Sequence, residues 1–381
     1  MFRAEELFRN VTDKNHPGET VLTIIQGRGT MPRDQAGRNI HYDDKSLGGY
    51  KRTERGDFII HLRSFEGGLE MTNETGIVSP AYTILRCNKP HASLFYNAYF
   101  HTDEFINHVL AKSVEGIRDG RQISYEAFKW LGIPYCHPSE QVKIAGLFAS
   151  LERRIEKQRQ LVDSLKKYKR GAFEAVFSQR IRLVPASEQR EWKKYKLTDF
   201  ALRITRKNCG KTDIPLTISA QYGLIDQREF FSKTVASTDM SGYYLLNSGE
   251  FAYNRSTSND YPFGSIKRLE LYPMGAVSTL YLCFAIKEDV VISDLAKWYF
   301  ESTQWYRGIS QICAEGARNH GLLNVPTDGF FCTEHLLPSA RKEQIAIAKY
   351  LSLIQSKYDR AVTELELLES VRNGLLQQLF I

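Results

Sequence analysis

The chain has 381 residues, 42% of them hydrophobic and 25% charged, and a formal net charge of +7. That length leaves room for two or three domains, and the composition is that of an ordinary globular protein. No stretch approaches the ~18 consecutive apolar residues of a membrane span. Residues 1–10 lack the apolar core of a signal peptide, and the six cysteines show no CxxC spacing. A cytoplasmic protein with reduced thiols is therefore expected.

In chain order, residues 1–137 alternate short strand-like runs (21–25, 58–62 and 81–85) with a helix-like stretch at 102–112, and Gly and Asn between the runs mark turns. Residues 138–177 read as one long helix. Alternating steps of four and three from Ile144 reach Phe148, Leu151, Ile155, Gln158, Val162, Leu165, Lys169, Ala172 and Val176, which is a heptad seam. Ser139 is the expected N-cap. A helix of about 38 residues is roughly 57 Å long. Residues 178–192, with Pro185, read as a linker.

Residues 190–337 repeat the first part in diverged form. Leu22-Thr23-Ile24 is answered by Leu216-Thr217-Ile218, Gly56-Asp57-Phe58 by Gly249-Glu250-Phe251, and Tyr99-Phe100 by Tyr299-Phe300. Strands are expected at 216–219, 251–253 and 279–286, and a helix at 293–307. A second long helix follows. Glu140-Gln141 recurs 203 positions later as Glu343-Gln344, and Ile144-Ala145 as Ile347-Ala348. Its seam runs through Ile347, Leu351, Ile354, Tyr358, Ala361, Leu365, Leu368, Arg372, Leu375 and Leu379, with Lys342 as a weaker cap. So narrow a seam needs a partner. The economical one is the other helix, and the alternative is a homodimeric coiled coil using one helix per chain.

The order is thus globular unit, long helix, globular unit, long helix, with bounds at 1–137, 138–185, 186–337 and 338–381. Charge follows these bounds. Residues 138–185 hold 11 basic and 5 acidic residues, whereas 1–137 and 186–337 are each balanced. The densest basic run is Lys166-Lys167-Tyr168-Lys169-Arg170, which is a solvated helix face or a phosphate contact.

With this order in view, the chain resembles, over its whole length, the DNA-specificity subunit of type I restriction-modification systems. The resemblance rests on Ser139-Glu140-Gln141 with Ile144-Ala145 and its partial copy at 343–348. It rests also on Gly76-Ile77-Val78-Ser79-Pro80-Ala81-Tyr82, answered by Gly275-Ala276-Val277-Ser278-Thr279-Leu280-Tyr281, and on the alternating order itself. The chain departs from the family pattern twice. The second unit opens with Trp192-Lys193-Lys194-Tyr195, but the first opens at Phe2-Arg3-Ala4 without a Trp. The second helix has Arg341-Lys342 where the first has Pro138-Ser139.

The resemblance implies an α+β fold: two similar α/β target-recognition domains separated by two long antiparallel coiled-coil helices, related by a pseudo-two-fold internal repeat. It implies a non-catalytic subunit in which each domain reads one half of a bipartite site on double-stranded DNA. The helices would set the spacer and dock two methyltransferase (modification) subunits. A restriction/translocase subunit is a further partner that the family admits, and no membrane is involved. S-adenosylmethionine, ATP and Mg²⁺ are then expected on the partner subunits, with no cofactor and no metal in this chain. Exposed apolar residues outside the seam (Leu147, Leu161, Tyr350, Leu367) are candidate docking contacts, with burial in the chain's own core as the alternative.

The residues themselves carry no catalytic pattern. A methyltransferase would need a Gly-rich cofactor loop and an Asn/Asp-Pro-Pro-aromatic motif, and neither is present. Gly210-Lys211-Thr212 resembles the end of a phosphate-binding loop but lacks its leading glycine. Cys332-Thr333-Glu334-His335 is the nearest approach to a metal spacing. Two alternatives remain: a complete DNA methyltransferase with a fused specificity domain, and a coiled-coil protein-interaction scaffold.

Base reading needs side chains that present paired donors, or a donor and an acceptor, to base edges. Phosphate contacts need cations and hydroxyls. In the first unit the candidates are Gln26, Arg28, His61, Arg63, Arg118 and Arg121. In the second they are Gln221, Tyr222, Asn254, Arg255, Ser256, Lys267, Arg268, Arg318 and Asn319.

Overall fold

The structure is a computed structural model, and it describes residues 1–36, 44–60, 69–114, 123–219, 222–230, 239–258, 261–313 and 323–380. Its contacts divide the chain into two units. The first comprises residues 1–161 with 361–381, and the second residues 162–360.

The first unit is built on a four-stranded antiparallel sheet in the order Phe8–Val11, Thr83–Cys87, Phe58–Ile60, Leu69–Met71. Three two-stranded ladders accompany it: Phe2–Arg3 with Gly132–Ile133, Leu22–Ile25 with Gly29–Pro32, and Lys51–Thr53 with Gly76–Val78. Phe8, Phe58, Tyr96, Phe100 and Phe105 are fully buried and make an aromatic core, with Phe58 edge-on to Phe100 at 4.9 Å. Aromatic pairs in such edge-on arrangements add to the free energy of area burial.

The second unit repeats this plan strand for strand. Its sheet order is Ala201–Ile204, Leu282–Ile286, Phe251–Asn254, Ser265–Arg268. Its ladders pair Trp192–Lys196 with Glu334–Pro338, Leu216–Ser219 with Gly223–Asp226, and Tyr244–Asn247 with Met274–Val277. The core is again aromatic, with Phe251 stacked on Phe284 at 5.3 Å and Tyr253 on Phe330 at 4.9 Å. Where the second unit opens with a five-residue strand, the first opens with a two-residue one, at the place where the Trp is missing.

The two long helices are Pro138–Phe177 and Arg341–Leu379. They pack against each other within this chain. In the first unit Phe148 stacks on Phe380 at 6.1 Å, and Gln158 Nε2 donates to the Ala361 carbonyl at 2.9 Å. In the second, the hydroxyls of Tyr168 and Tyr350 lie 3.1 Å apart. Numbers rise along one helix as they fall along the other, so the pair is antiparallel. On the first helix every seam position from Ile144 to Val176 is buried or half-buried. The second holds the same pattern from Ile347 to Leu375, and Leu379 is exposed.

Four local expectations are corrected. Ser139 is not the N-cap. The helix starts at Pro138, whose missing N–H suits a first position, and Ser139 Oγ is bonded to His137 Nδ1 at 2.8 Å. Lys342 likewise lies inside its helix, which starts at Arg341. The stretch 102–112 forms a wide π turn (Glu104–Val109) followed by a 3-10 turn (Leu110–Ser113), and the regular helix precedes it at Ser93–Phe100. That helix is apolar on nearly every side, which hides its period. The stretch 293–307 divides into Ser293–Glu301 and Tyr306–Ile312, because Ser302 turns extended and its hydroxyl donates to the Tyr299 carbonyl at 2.6 Å.

Candidate nucleic-acid interface

In the first unit, Gln26, Gly27 and Arg28 form the exposed turn between the strands Leu22–Ile25 and Gly29–Pro32. Gly27 and Gly29 have φ of 72° and 77°, the left-handed region that glycine enters without strain. Beneath the turn lies Glu70, only 1% exposed. Its Oε1 accepts the Gly27 N–H at 2.6 Å and its Oε2 the Gly29 N–H at 2.9 Å. His101 Nε2 stands 3.5 Å from the same carboxylate, and its Nδ1 is 2.7 Å from the Asn97 carbonyl. Burial pushes the Glu70 pKa up, but the His101 and glycine N–H bonds outweigh it and leave the group below the ordinary carboxylate value. Burial pulls His101 down, and the Glu70 and Asn97 contacts more than offset that, so its pKa is raised.

The second unit places an opposite pair at the equivalent positions. Glu70 lies opposite Ile59 in its ladder, and Lys267 lies opposite Ala252 in the matching one. His101 follows the helix Ser93–Phe100, and Glu301 closes the helix Ser293–Glu301. Lys267 is 8% exposed and its ammonium meets Glu301 at 2.5 Å. A buried charge needs such a partner. The fold thus accepts either polarity, provided that the pair is complete.

The remaining candidates fall into three groups. Tyr222 is 59% exposed at the turn between Leu216–Ser219 and Gly223–Asp226, and its N–H donates to Ser219 Oγ at 3.2 Å. Asn254 ends its strand, accepting the N–H of exposed Ser256 at 3.0 Å. These residues face solvent or border it. Arg255, Lys267 and Arg268 are engaged inside the unit. Arg255 donates to the carbonyls of Val325 (3.3 Å) and Leu280 (3.0 Å), bracing two loops. Arg268 is held by Ser293, Asp294 and Glu270 at 3.1, 2.8 and 2.6 Å. Seven candidates, His61, Arg63, Arg118, Arg121, Gln221, Arg318 and Asn319, lie outside the described residues.

Glu70, the acid that organises the first turn, escaped the sequence reading. Its signal was a charge flanked by apolar residues in a three-residue strand, Leu69-Glu70-Met71. Of the exposed apolar residues on the helices, Leu147, Leu161 and Leu367 are indeed open at 46%, 46% and 62%, whereas Tyr350 is half-buried against the second core. Beside the second helix, Ile345, Ala348, Lys349 and Leu353 line a groove of about 550 Å³ with Ile292 and Asp294.

The catalytic look-alikes resolve into structure. Gly210-Lys211-Thr212 lies in a turn built on buried Asn208, whose Oδ1 accepts the Thr212 N–H at 3.0 Å. The next element is the strand Leu216–Ser219, not the helix that a phosphate loop requires. His335 is buried between Tyr299 (3.1 Å) and Thr333 (2.8 Å). Burial alone pulls its pKa down to about 4. Among the described residues, no three His, Cys, Asp or Glu side chains are grouped to hold a metal, and no helix is long and apolar enough to cross a membrane.

No family model and no curated protein matches the sequence. Solved structures do match. The S subunit of a type I restriction-modification system from M. genitalium aligns with TM-score 0.58 and 13% identity, covering 100% of this chain and 95% of its own. The HsdS subunit from Thermoanaerobacter tengcongensis aligns with TM-score 0.50 and 14% identity over 100% and 95%. A chain from a structure concerned with complex assembly and conformational transition of the type I R-M system aligns with TM-score 0.52 and 13% identity over 100% and 96%. With its duplicated sheets and its paired long helices, this chain has, from end to end, the fold of type I restriction-modification S subunits.

Proposed function

We propose that the chain is the non-catalytic, sequence-specific DNA-binding subunit of a type I restriction-modification complex. Residues 1–137 and 186–337 each read one half of a bipartite site. The helical segments 138–185 and 338–381 set the unread spacer and carry two methyltransferase subunits, which bring S-adenosylmethionine. Where a restriction/translocase subunit joins, ATP and Mg²⁺ come with it. The observation that carries this reading is the end-to-end fold match, together with the duplication inside the chain: two like units suit two half-sites and two like partners. Gln26, Arg28, Tyr222, Asn254 and Ser256 are the described residues whose positions suit DNA contact. Arg255, Lys267 and Arg268 support the second unit from within.

The test is methylome sequencing of a host carrying this chain with its modification subunits, followed by mass measurement of the purified complex. A bipartite methylated motif that vanishes when the chain is deleted, and a complex holding two modification subunits, are expected. Methyl transfer by the purified chain alone would favour the complete methyltransferase instead. Failure to bind any duplex with the partners present would favour the scaffold.

A further inference from the structure

Arg28 projects from a turn whose own backbone closes it with one hydrogen bond, from the Arg28 N–H to the Ile25 carbonyl at 2.9 Å. Further contacts come from the sheet beneath. The Glu70 carboxylate takes the N–H groups on both sides of Arg28, one on each oxygen. Asn73 Nδ2 donates to the carbonyls of Arg28 (2.7 Å) and Thr30 (3.0 Å). The turn lies so close to that strand that a Cβ on Gly29 would stand 2.4 Å from the Met71 carbonyl oxygen. All these contacts engage the backbone of the turn. Among the described residues, the Arg28 guanidinium itself has no hydrogen bond or ion pair.

A carboxylate at 1% exposure is costly unless its acceptors are filled. The shared fold does not demand one at this place, because the second unit has Lys267 there, answered by Glu301. There the turn is tied by its own Ser219 hydroxyl instead. The acid in the first unit therefore goes with this turn rather than with the sheet. A guanidinium discriminates a base by a bidentate fork, and the base edge with two major-groove acceptors is that of guanine. Such a fork needs a backbone fixed to within about 0.5 Å by supporting contacts.

We propose that Glu70, with Asn73, is the positioning residue for base reading in the first half-site, fixing the Gln26–Gly29 turn so that Arg28 reads a guanine. This rests on the reading of the chain as a DNA-specificity subunit. Glu70 touches no base. It acts through the turn.

The test uses the full chain in complex with its modification subunits and a library of randomised duplexes, with the bound fraction sequenced. Arg28→Ala should lower the preference for guanine at one position of one half-site by about tenfold or more. Glu70→Gln sets an amide NH₂ against a turn N–H. It should relax that same position roughly tenfold, leave the other positions of both half-sites unchanged, and raise amide exchange at residues 26–30. Glu70→Gln added to Arg28→Ala should change the preference no further, because both act on one contact. Asn73→Ala is the second variant, should Glu70→Gln fold poorly. If Arg28→Ala relaxes one position while Glu70→Gln and Asn73→Ala both keep it, the positioning role is overturned. Loss spread over the whole first half-site in both supporting variants would overturn it too, as general damage to the unit. If Arg28→Ala changes nothing while the parent still selects a bipartite site, Arg28 is not a reader and the proposal falls alone. If the parent selects no sequence, the recognition reading itself fails.

Discussion

The side-chain amide of Gln344 is spent on the head of the short helix Ser293–Glu301: its Oε1 accepts the Ile292 N–H at 3.0 Å, and its Nε2 donates to the carbonyls of Val290 (3.1 Å) and Pro338 (2.9 Å). Gln141 does the same in the first unit, accepting from the Ala92 N–H at 3.0 Å and donating to the Cys136 carbonyl at 2.9 Å. Both glutamines are buried, at 0% and 2% exposure for Gln141 and Gln344. The repeated Glu-Gln pair thus has a physical reason. A helix N-terminus leaves orphan N–H groups, and a glutamine on each long helix satisfies one of them while tying a globular sheet region to that helix. Gln344→Ala should cost about 1–3 kcal/mol, because it strands a buried donor. Gln344→Glu, which keeps the acceptor for Ile292 but loses the donor, should also destabilise. Urea unfolding measures both, and a cost below about 0.5 kcal/mol for the alanine variant would refute this account.

The glutamates of the two pairs differ. Glu140 is exposed, whereas Glu343 is fully buried and meets the Arg182 guanidinium at 2.5 and 2.8 Å. Removing one member of a buried pair leaves an uncompensated charge at a cost of about 3–5 kcal/mol. Arg182→Ala should therefore destabilise strongly, and Arg182→Ala with Glu343→Gln should regain most of the loss. Thermal melting of the three proteins checks this, with no recovery in the double variant as the refuting result.

Gly27 and Gly29 separate two causes of strain in one turn. Both have positive φ, but a Cβ at Gly27 enters open space, whereas one at Gly29 meets a carbonyl oxygen at 2.4 Å. Gly27→Ala should cost about 1–2 kcal/mol from backbone conformation alone, and Gly29→Ala clearly more. Equal melting temperatures for the two variants would contradict the close approach to Met71.

His335 makes the second unit sensitive to acid. Burial lowers its pKa in the folded chain to about 4, from the ordinary histidine value of 6.5. Below pH ~6.5 the unfolded chain takes up a proton that the folded chain refuses, so stability falls from about pH 6.5 down to 4 and is complete above that window. The shift corresponds to about 3 kcal/mol at most. His335→Gln should flatten that part of the curve of stability against pH, and an unchanged slope would show that other groups set it.

The proposed ruler role of the helices predicts a change in spacing without a change in reading. Inserting one heptad into both Pro138–Phe177 and Arg341–Leu379 keeps the seam in register. The methylated motif should then gain unread base pairs between unaltered half-sites. Altered half-site sequences in the methylome would refute the idea.

What the sequence by itself determined was whatever repeats along the chain. The seam from Ile144 to Val176 and its copy from Ile347 were legible because a helix puts every third or fourth residue on one side, and a periodic signal forty residues long survives local exceptions such as Gln158 and Lys169. The duplication was legible because both copies solve one packing problem with like residues, as in Phe58 and Phe251. Short elements were harder. A three-residue strand such as Leu69–Met71 has no period to read, and a largely apolar helix such as Ser93–Phe100 shows none. Tertiary structure alone decided which charges face water. Arg28 and Lys267 look alike as basic residues near turns, yet one guanidinium is exposed and one ammonium lies buried on Glu301, 34 positions away in the chain. Whether a charge reaches solvent depends on which distant partner the fold brings beside it. That pairing is set by the strand register and by where a helix ends, not by the residue or its neighbours in sequence.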